Sequence, residues 1–254
     1  MIVHQVTNSY KNYNYNAFVY SNIRWFPHFH GNFELIYAIS GNVDVTVNGN
    51  VCTLSTGELL LISPYNIHSL EIYNESKIWV GVFSGDFVAP FFKKNKNTHY
   101  SKFRCNEFVE AFLKEKLFFQ GKPEHYSLMG CLYLVINECL KNAAVIDCDK
   151  YDEFIYNIID YISENLCENI SLESISDALG YERHYFSSLF HKCFSMNFRN
   201  FVNLFRFEKA CNLLMENDMT ITQICYECGF GSIRSFNRIF KEMSGKTPGE
   251  YRKK

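Results

Sequence analysis

The sequence predicts an α+β protein in three parts: a small β-barrel over residues 1–104, a helical connector over 105–150, and an all-α domain with two helix-turn-helix motifs over 151–254. Three observations carry this. Apolar residues alternate with a period of two before about residue 85 and recur at helical spacing after about residue 105. A helix-turn-helix pattern occurs twice in the last hundred residues, shifted by 49. The charge is also divided: residues 1–180 hold 13 Lys and Arg against 20 Asp and Glu, net −7, whereas residues 181–254 hold 12 against 7, net +5.

The barrel is read from short strands with turn signals between them. Val43, Val45 and Val47 alternate with Asp44, Thr46 and Asn48, and Asn48-Gly49 supplies the two positive φ angles of a tight hairpin. Gly41, Gly57 and Pro64 punctuate other apolar runs such as Leu59-Leu60-Leu61-Ile62. Phe26, Phe29, Phe33, Tyr37 and Trp79 are expected in the barrel core.

The connector begins where the period changes. Phe108, Phe112 and Leu113 fit one helix, and Leu128, Leu132, Val135, Ile136, Cys139 and Leu140 fit another, with Gly121-Lys-Pro123 between them. Tyr126, Met129 and Tyr133 lie beside the second stripe, so this helix has an apolar face to spare for a symmetric partner. Residues 142–151, with Asp147, Asp149 and Lys150, read as a polar boundary.

The two repeats in the last part share their punctuation. Ser171 and Thr220 each open a short helix by accepting its free N–H groups, and Gln223 completes a capping box in the second. Ile170 with Ile175, and Met219 with Ile224, stand as hydrophobic staples. Gly180 and Gly229 close the helices in the left-handed region. The following helix buries Phe186, Leu189 and Phe190 in one repeat and Phe236, Ile239 and Phe240 in the other.

That leaves a second face on each following helix. In the first it carries Arg183, His184, Ser187, Ser188 and His191, and in the second Ile233, Arg234, Asn237, Arg238 and Lys241. Arg pairs with guanine, Asn with adenine, Ser with either, and an apolar side chain suits a thymine methyl, so double-stranded DNA is the expected partner. Lys192, Lys241, Lys246, Arg252, Lys253 and Lys254 are placed to neutralise phosphates.

Residues 154–254 resemble the DNA-binding domain of AraC/XylS-type transcriptional regulators. The resemblance rests on Ile221-x-x-Ile224, Cys228-Gly229-Phe230, Ser232-x-x-x-Phe236-x-Arg238-x-Phe240-Lys241 and Gly245-Lys-Thr247-Pro248-x-x-Tyr251-Arg252. Phe205-Arg206-Phe207-x-x-Ala210-x-x-Leu213-Leu214 fits the helix that links the repeats. The resemblance implies seven helices, with two recognition helices on one rigid linker entering successive major grooves. Three positions depart from it: Glu182 where Ser is frequent, Ser188 where Arg is frequent, and Ser195 where Gly is frequent.

In the first part, His28-x-His30-x-x-x-Glu34 followed by Gly41 resembles the first cupin motif. Gly57 with Pro64 and His68 resembles the second, with Asn66 in place of the usual Gly. A cupin-like barrel commonly comes first in this regulator family and binds a small-molecule effector, so His28, His30, Glu34 and His68 are the expected effector pocket. The same four residues could hold a divalent metal, Zn, Fe, Mn or Ni. The function expected is an effector-responsive, sequence-specific transcriptional regulator acting as a homodimer, with RNA polymerase a further candidate partner. The alternative is a metal-dependent cupin enzyme, of dioxygenase or isomerase type, fused to a DNA-binding module.

Composition narrows the classes. The 254 residues are 47% hydrophobic and 20% charged, which excludes a disordered or collagen-like chain. No apolar run of about 18 residues is present to span a membrane. The start lacks the basic head and apolar stretch of a secretory signal, and ten cysteines at irregular spacing read as reduced thiols, so a cytoplasmic location is expected. Cys225-x-x-Cys228 has no second pair or nearby His and reads as buried thiols.

Overall fold

The computed structural model describes residues 3–4, 15–22, 24–72, 75–95, 98–118, 123–146, 150–216 and 218–252. Two compact units emerge, residues 12–148 and residues 149–254.

The first unit is built on two antiparallel sheets. One has the order β1-β3-β8-β5-β6 and the other β2-β9-β4-β7. Their strands are β1 (Val3–His4), β2 (Tyr15–Ser21), β3 (Arg24–Phe29), β4 (Phe33–Ser40), β5 (Asn42–Val47), β6 (Asn50–Ser55), β7 (Leu59–Ile62), β8 (His68–Ile72) and β9 (Lys77–Phe83). The hairpin expected at Asn48-Gly49 joins β5 to β6, with φ of 48° and 89° and Val47 facing Asn50.

Side-chain parity fills the space between the sheets. Ile36, Ala38, Leu60, Ile62, Ile78, Val80 and Val82 meet Val43, Val45, Leu54, Leu70 and Ile72 in one apolar layer. The reverse face of the four-stranded sheet carries Phe33, Leu35, Tyr37, Leu59, Leu61, Trp79 and Phe83 into a second layer, shared with helical residues. That sheet is therefore buried on both faces, which is why β7 reads as an unbroken apolar run instead of alternating.

The second layer includes the connector. Helices α2 (Glu107–Leu113) and α3 (His125–Asn142) contribute Val109, Leu113, Leu128, Cys131, Leu132, Val135, Ile136 and Cys139 to it. Leu132 is thus core, while Tyr126 and Tyr133 are exposed.

Four expectations are corrected here. Helix appears before residue 105, as a 3-10 turn over Gly85–Val88 capped by Ser84 and as α1 (Ala89–Asn95). Within the boundary segment, β11 (Val145–Ile146) pairs with β10 (His99–Tyr100), while Asp147 and Asp149 lie outside the described residues, as does Gly121. Phe26 is 69% exposed, because a register shift between Trp25 and His28 breaks the alternation of β3. Phe108 is exposed on α2, whose buried edge is Val109 and Leu113.

The second unit has seven helices among its described residues: α4 (Lys150–Glu164), α5 (Leu172–Leu179), α6 (Arg183–Phe194), α7 (Phe198–Glu216), α8 (Ile221–Glu227), α9 (Ile233–Ser244) and α10 (Pro248–Arg252). At eight and seven residues, α5 and α8 are too short to persist alone, so packing must hold them. Around the first pair, Phe186, Phe190, Phe194, Phe198 and Phe201 form an aromatic cluster with neighbouring ring centroids 4.3–6.3 Å apart. Around the second, Phe230, Phe236, Ile239 and Phe240 pack on Phe207, Ala210, Cys211 and Leu214 of α7. Each buried Phe contributes about 1.5–3 kcal/mol, and α7 supplies both clusters from one continuous helix.

Candidate functional site

Two regions carry the candidate residues, one in each unit.

In the first unit, His28, His30, Glu34 and His68 converge between the two sheets and are 2%, 2%, 0% and 2% exposed. They come from both sheets. His28 is near the end of β3, opposite His68 of β8, and the chain then bends at residues 31–32 and enters β4 of the facing sheet with Glu34. The ligating atoms of all four lie within 4.8 Å of one another.

The imidazoles are oriented by main-chain carbonyls. Nδ1 of His28 lies 2.9 Å from the Phe26 carbonyl, Nδ1 of His30 lies 3.0 Å from that of Asn32, and Nδ1 of His68 lies 2.8 Å from that of Asn66. A carbonyl only accepts, so each Nδ1 carries the proton and each Nε2 faces the cluster. Nε2 of His30 is 3.1 Å and Nε2 of His68 3.5 Å from Oε2 of Glu34. Nε2 of His28, Nε2 of His68 and Oε1 of Glu34 have no hydrogen-bond partner. The three carbonyls could not be read from residue types, since any residue supplies one.

The electrostatics follow from burial and from Glu34. Burial, aided by His68, pushes His28 down to about 3, and burial also lowers His30. Burial favours a neutral Glu34, but the nearby charge of His68 and the hydrogen bond with His30 outweigh it and hold the carboxyl below its ordinary range. Burial likewise opposes charge on His68, and Glu34 overrides it, raising that imidazole. Three imidazole nitrogens and a carboxylate are a donor set that could hold a divalent transition metal.

In the second unit, the capping expected from sequence is present. Ser171 and Thr220 accept from the N–H groups of Ser174 and Gln223, and both form reciprocal capping boxes. Sequence reading missed the first box because Ser174 stands where Glu or Gln is the usual signal. Glu182 keeps the role of the Ser it replaces: its carboxylate accepts from the N–H groups of His184 and Tyr185 and starts α6. Ser195 adopts φ 50°, the left-handed cap otherwise given to Gly.

The candidate recognition faces are mostly open. Arg183, His184, Ser188 and His191 are exposed on α6, with Ser187 half-buried; Arg234, Asn237, Arg238 and Lys241 are exposed on α9. Ile233 packs against the second core and is only partly offered to a groove. The Arg238 guanidinium is engaged by the Glu242 carboxylate at 2.7 and 2.9 Å. Arg252 donates to the Met219 carbonyl at 2.6 Å and ties α10 to the start of α8, so its role here is structural. Lys253 and Lys254 lie outside the described residues.

A junction that sequence reading did not single out joins the repeats. Arg206 of α7 donates to the carbonyls of Leu166 and Glu168 at 3.3 and 2.8 Å, and so grips the loop between α4 and α5. The same loop meets the second turn, where a Cβ on Gly229 would lie 2.2 Å from the Leu166 carbonyl oxygen. Cys225 and Cys228 are buried, and burial raises both thiols, Cys228 to about 12, as expected of packing thiols.

Family comparison agrees with this architecture. Residues 19–104 match the model of the AraC-like ligand binding domain, and residues 175–254 match that of a helix-turn-helix domain. The chain thus carries a domain of the AraC-like ligand-binding family followed by a helix-turn-helix domain. It is 23% identical over 232 residues to an uncharacterized HTH-type transcriptional regulator of Staphylococcus aureus, covering 85% of this chain and 31% of that protein. It is 32% identical over 96 residues to the HTH-type regulator YijO of Escherichia coli, covering 38% and 34%. This chain therefore spans about a third of the length of the curated relatives it matches. Among solved structures it is similar to ToxT of Vibrio cholerae, with a TM-score of 0.48 and 17% identity over 95% of this chain and 98% of that one. Among the described residues no helix is long and apolar enough to cross a membrane.

Proposed function

We propose that this chain is a sequence-specific DNA-binding transcriptional regulator, with α6 and α9 as recognition helices and a small ligand taken at the His28–His30–Glu34–His68 cluster. The observation that carries the reading is the doubled, capped helix-turn-helix, both halves packed on the single helix α7.

Within it, Arg234 and Arg238 pair with guanine, Asn237 with adenine, and Ile233 meets a thymine methyl with what remains of its exposed edge. Arg183, His184, Ser187, Ser188 and His191 read the other half-site. Lys192, Lys241 and Lys246 contact phosphates, which makes affinity fall with salt. The exposed Tyr126, Tyr133 and Leu134 of α3 are the surface for a second copy.

The test is fluorescence anisotropy of the full chain on selected duplexes. Arg234→Ala is expected to relax base preference at one position, and Lys246→Ala to weaken all sequences alike. Unchanged affinity and preference with Arg234→Ala would overturn the placement of α9.

A further inference from the structure

We infer that Cys167 and Lys209 form an oxidation-sensitive pair: a hydroperoxide converts the Cys167 thiol to a sulfenic acid, and the Lys209 amine captures it in a covalent S–N bond that fastens the loop before α5 to α7. The pair lies wholly within the second unit, and the inference goes beyond the DNA reading without depending on it.

The first ground is selection among the thiols. Of the nine described cysteines, Cys167 alone is exposed; Cys52 and Cys193 are half-buried and the other six are buried. Burial pushes the thiols of Cys105, Cys139 and Cys228 up to about 12, away from the thiolate that reacts.

The second ground is convergence. Cys167 comes from the loop between α4 and α5, Lys209 from α7, and Glu227 from the end of α8. Nζ of Lys209 donates to the Cys167 sulfur at 3.3 Å, and the thiol faces the main-chain carbonyl of Glu227 at 3.1 Å. The same Nζ is 3.5 Å from Oε1 of Glu227. Arg206 donates to the carbonyls on either side of Cys167, those of Leu166 and Glu168, at 3.3 and 2.8 Å. An accessible sulfur beside an ammonium and a guanidinium is the setting in which cysteines oxidise selectively.

The third ground is confinement. A Cβ on Gly229 would lie 3.0 Å from the Cα of Cys167 and 2.2 Å from the Leu166 carbonyl oxygen. The loop is held between the second turn and Arg206, so its main chain has little room to carry the sulfur away from Lys209. Cys228 is the competing partner for an oxidised Cys167, but its thiol is packed with 0% exposure in the second core.

The chemistry balances with one equivalent of peroxide. The Cys167 sulfur attacks the O–O bond and is oxidised to S–OH, while the peroxide is reduced and leaves as water. The Lys209 nitrogen, its proton passed to the Glu227 carboxylate and on to solvent, then attacks that sulfur. The S–N bond forms, the S–O bond breaks, and a second water leaves. The chain has lost two hydrogens. Two equivalents of a thiol reductant restore the thiol and the amine and leave as a disulfide. The bond makes the stiffness of the joint between the two helix pairs subject to oxidation.

The test treats the reduced full chain, freed of reductant, with equimolar hydrogen peroxide and reads it by intact mass and peptide mapping. The parent chain should lose two hydrogens, yield one joined fragment carrying Cys167 and Lys209, and revert with dithiothreitol. Lys209→Arg keeps the positive charge but removes the nucleophilic amine, so its sulfenic acid should persist and label with dimedone at Cys167 several-fold more than in the parent. Cys167→Ser should give neither product, and Cys228→Ser should leave the cross-link intact. Circular dichroism checks folding, and if Lys209→Arg does not fold, the peptide map of the parent decides. An unreacted Cys167, dimedone labelling of the parent equal to that of Lys209→Arg, or fragments joined through Cys228 would each overturn the inference.

Discussion

The two helix-turn-helix pairs share one plan and differ in how they are anchored and charged. Both close their first helix with a left-handed glycine, Gly180 at φ 74° and Gly229 at φ 78°. Around Gly180 there is open space, whereas Gly229 is pressed against the main chain of the loop before α5. The recognition helices diverge as well: α6 starts on a carboxylate, Glu182, and α9 on a hydroxyl, Ser232. Repetition therefore preserved the local caps that make each pair fold. It left the contacts that join the pairs, and the charge each shows to a polyanion, to vary.

The largest expected effect is at the joint. Gly180→Ala should cost about 1 kcal/mol, the ordinary penalty for a side chain at positive φ. Gly229→Ala should cost about 3 kcal/mol or more, because strain adds to the displacement of a backbone it touches. Urea denaturation of the full chain measures both. Equal costs would mean that the Arg206-gripped loop yields freely and the pairs are not rigidly joined.

The next effect is on recognition. Arg234→Ala should lose about 1–3 kcal/mol of discrimination at one base pair. Arg183→Ala should lose less, since Arg183 follows the acidic cap Glu182, and competition binding with single-base variants orders the two. A larger loss at Arg183 would reverse the comparison.

A smaller effect concerns Arg238. Its pair with Glu242 is exposed on both sides, 61% and 58%, and is worth only about 0.3–0.5 kcal/mol. Glu242→Ala frees the guanidinium and removes an acidic charge, so DNA affinity should rise about two- to threefold in anisotropy titrations. A fall would show that the pair pre-orders Arg238 for its contact.

The smallest effect is the pH dependence of the α6 cap. The N–H groups of His184 and Tyr185 hold Glu182 below its ordinary value of 4.5. A depressed carboxyl contributes stability above the unfolded value and loses it as pH falls through the folded one. Thermal melts at descending pH below about 5 should therefore show the parent chain losing ground against Glu182→Ser, whose hydroxyl does not titrate. Parallel curves would remove the cap role.

What could be read from sequence follows the same division. Caps, closing glycines, the Asn48-Gly49 turn and the double repeat are local, and each needs only a residue type at a fixed offset. The four cluster residues were also legible, because His28-x-His30-x-x-x-Glu34 and the run Gly57, Pro64, His68 resemble the two cupin motifs. Their meeting was expected from the two motifs, but the route was not: the chain bends at residues 31–32 and carries Glu34 into the facing sheet. Nor were the strand pair 99–100 with 145–146, or the grip of Arg206, visible: these depend on partners 38 or more residues away. Phe26 and Phe108 were misplaced for a simpler reason, that aromatic character predicts burial while a single register shift or helix rotation decides it.

The central claim is that the two pairs act as one double reader of DNA. Selection of bound duplexes from a random pool by the full chain, followed by sequencing, tests it most directly. The account predicts two conserved blocks about 10–10.5 base pairs apart, centre to centre, one of which blurs with Arg234→Ala. Enrichment of a single block unaffected by Arg234→Ala, or no enrichment at all, would contradict it.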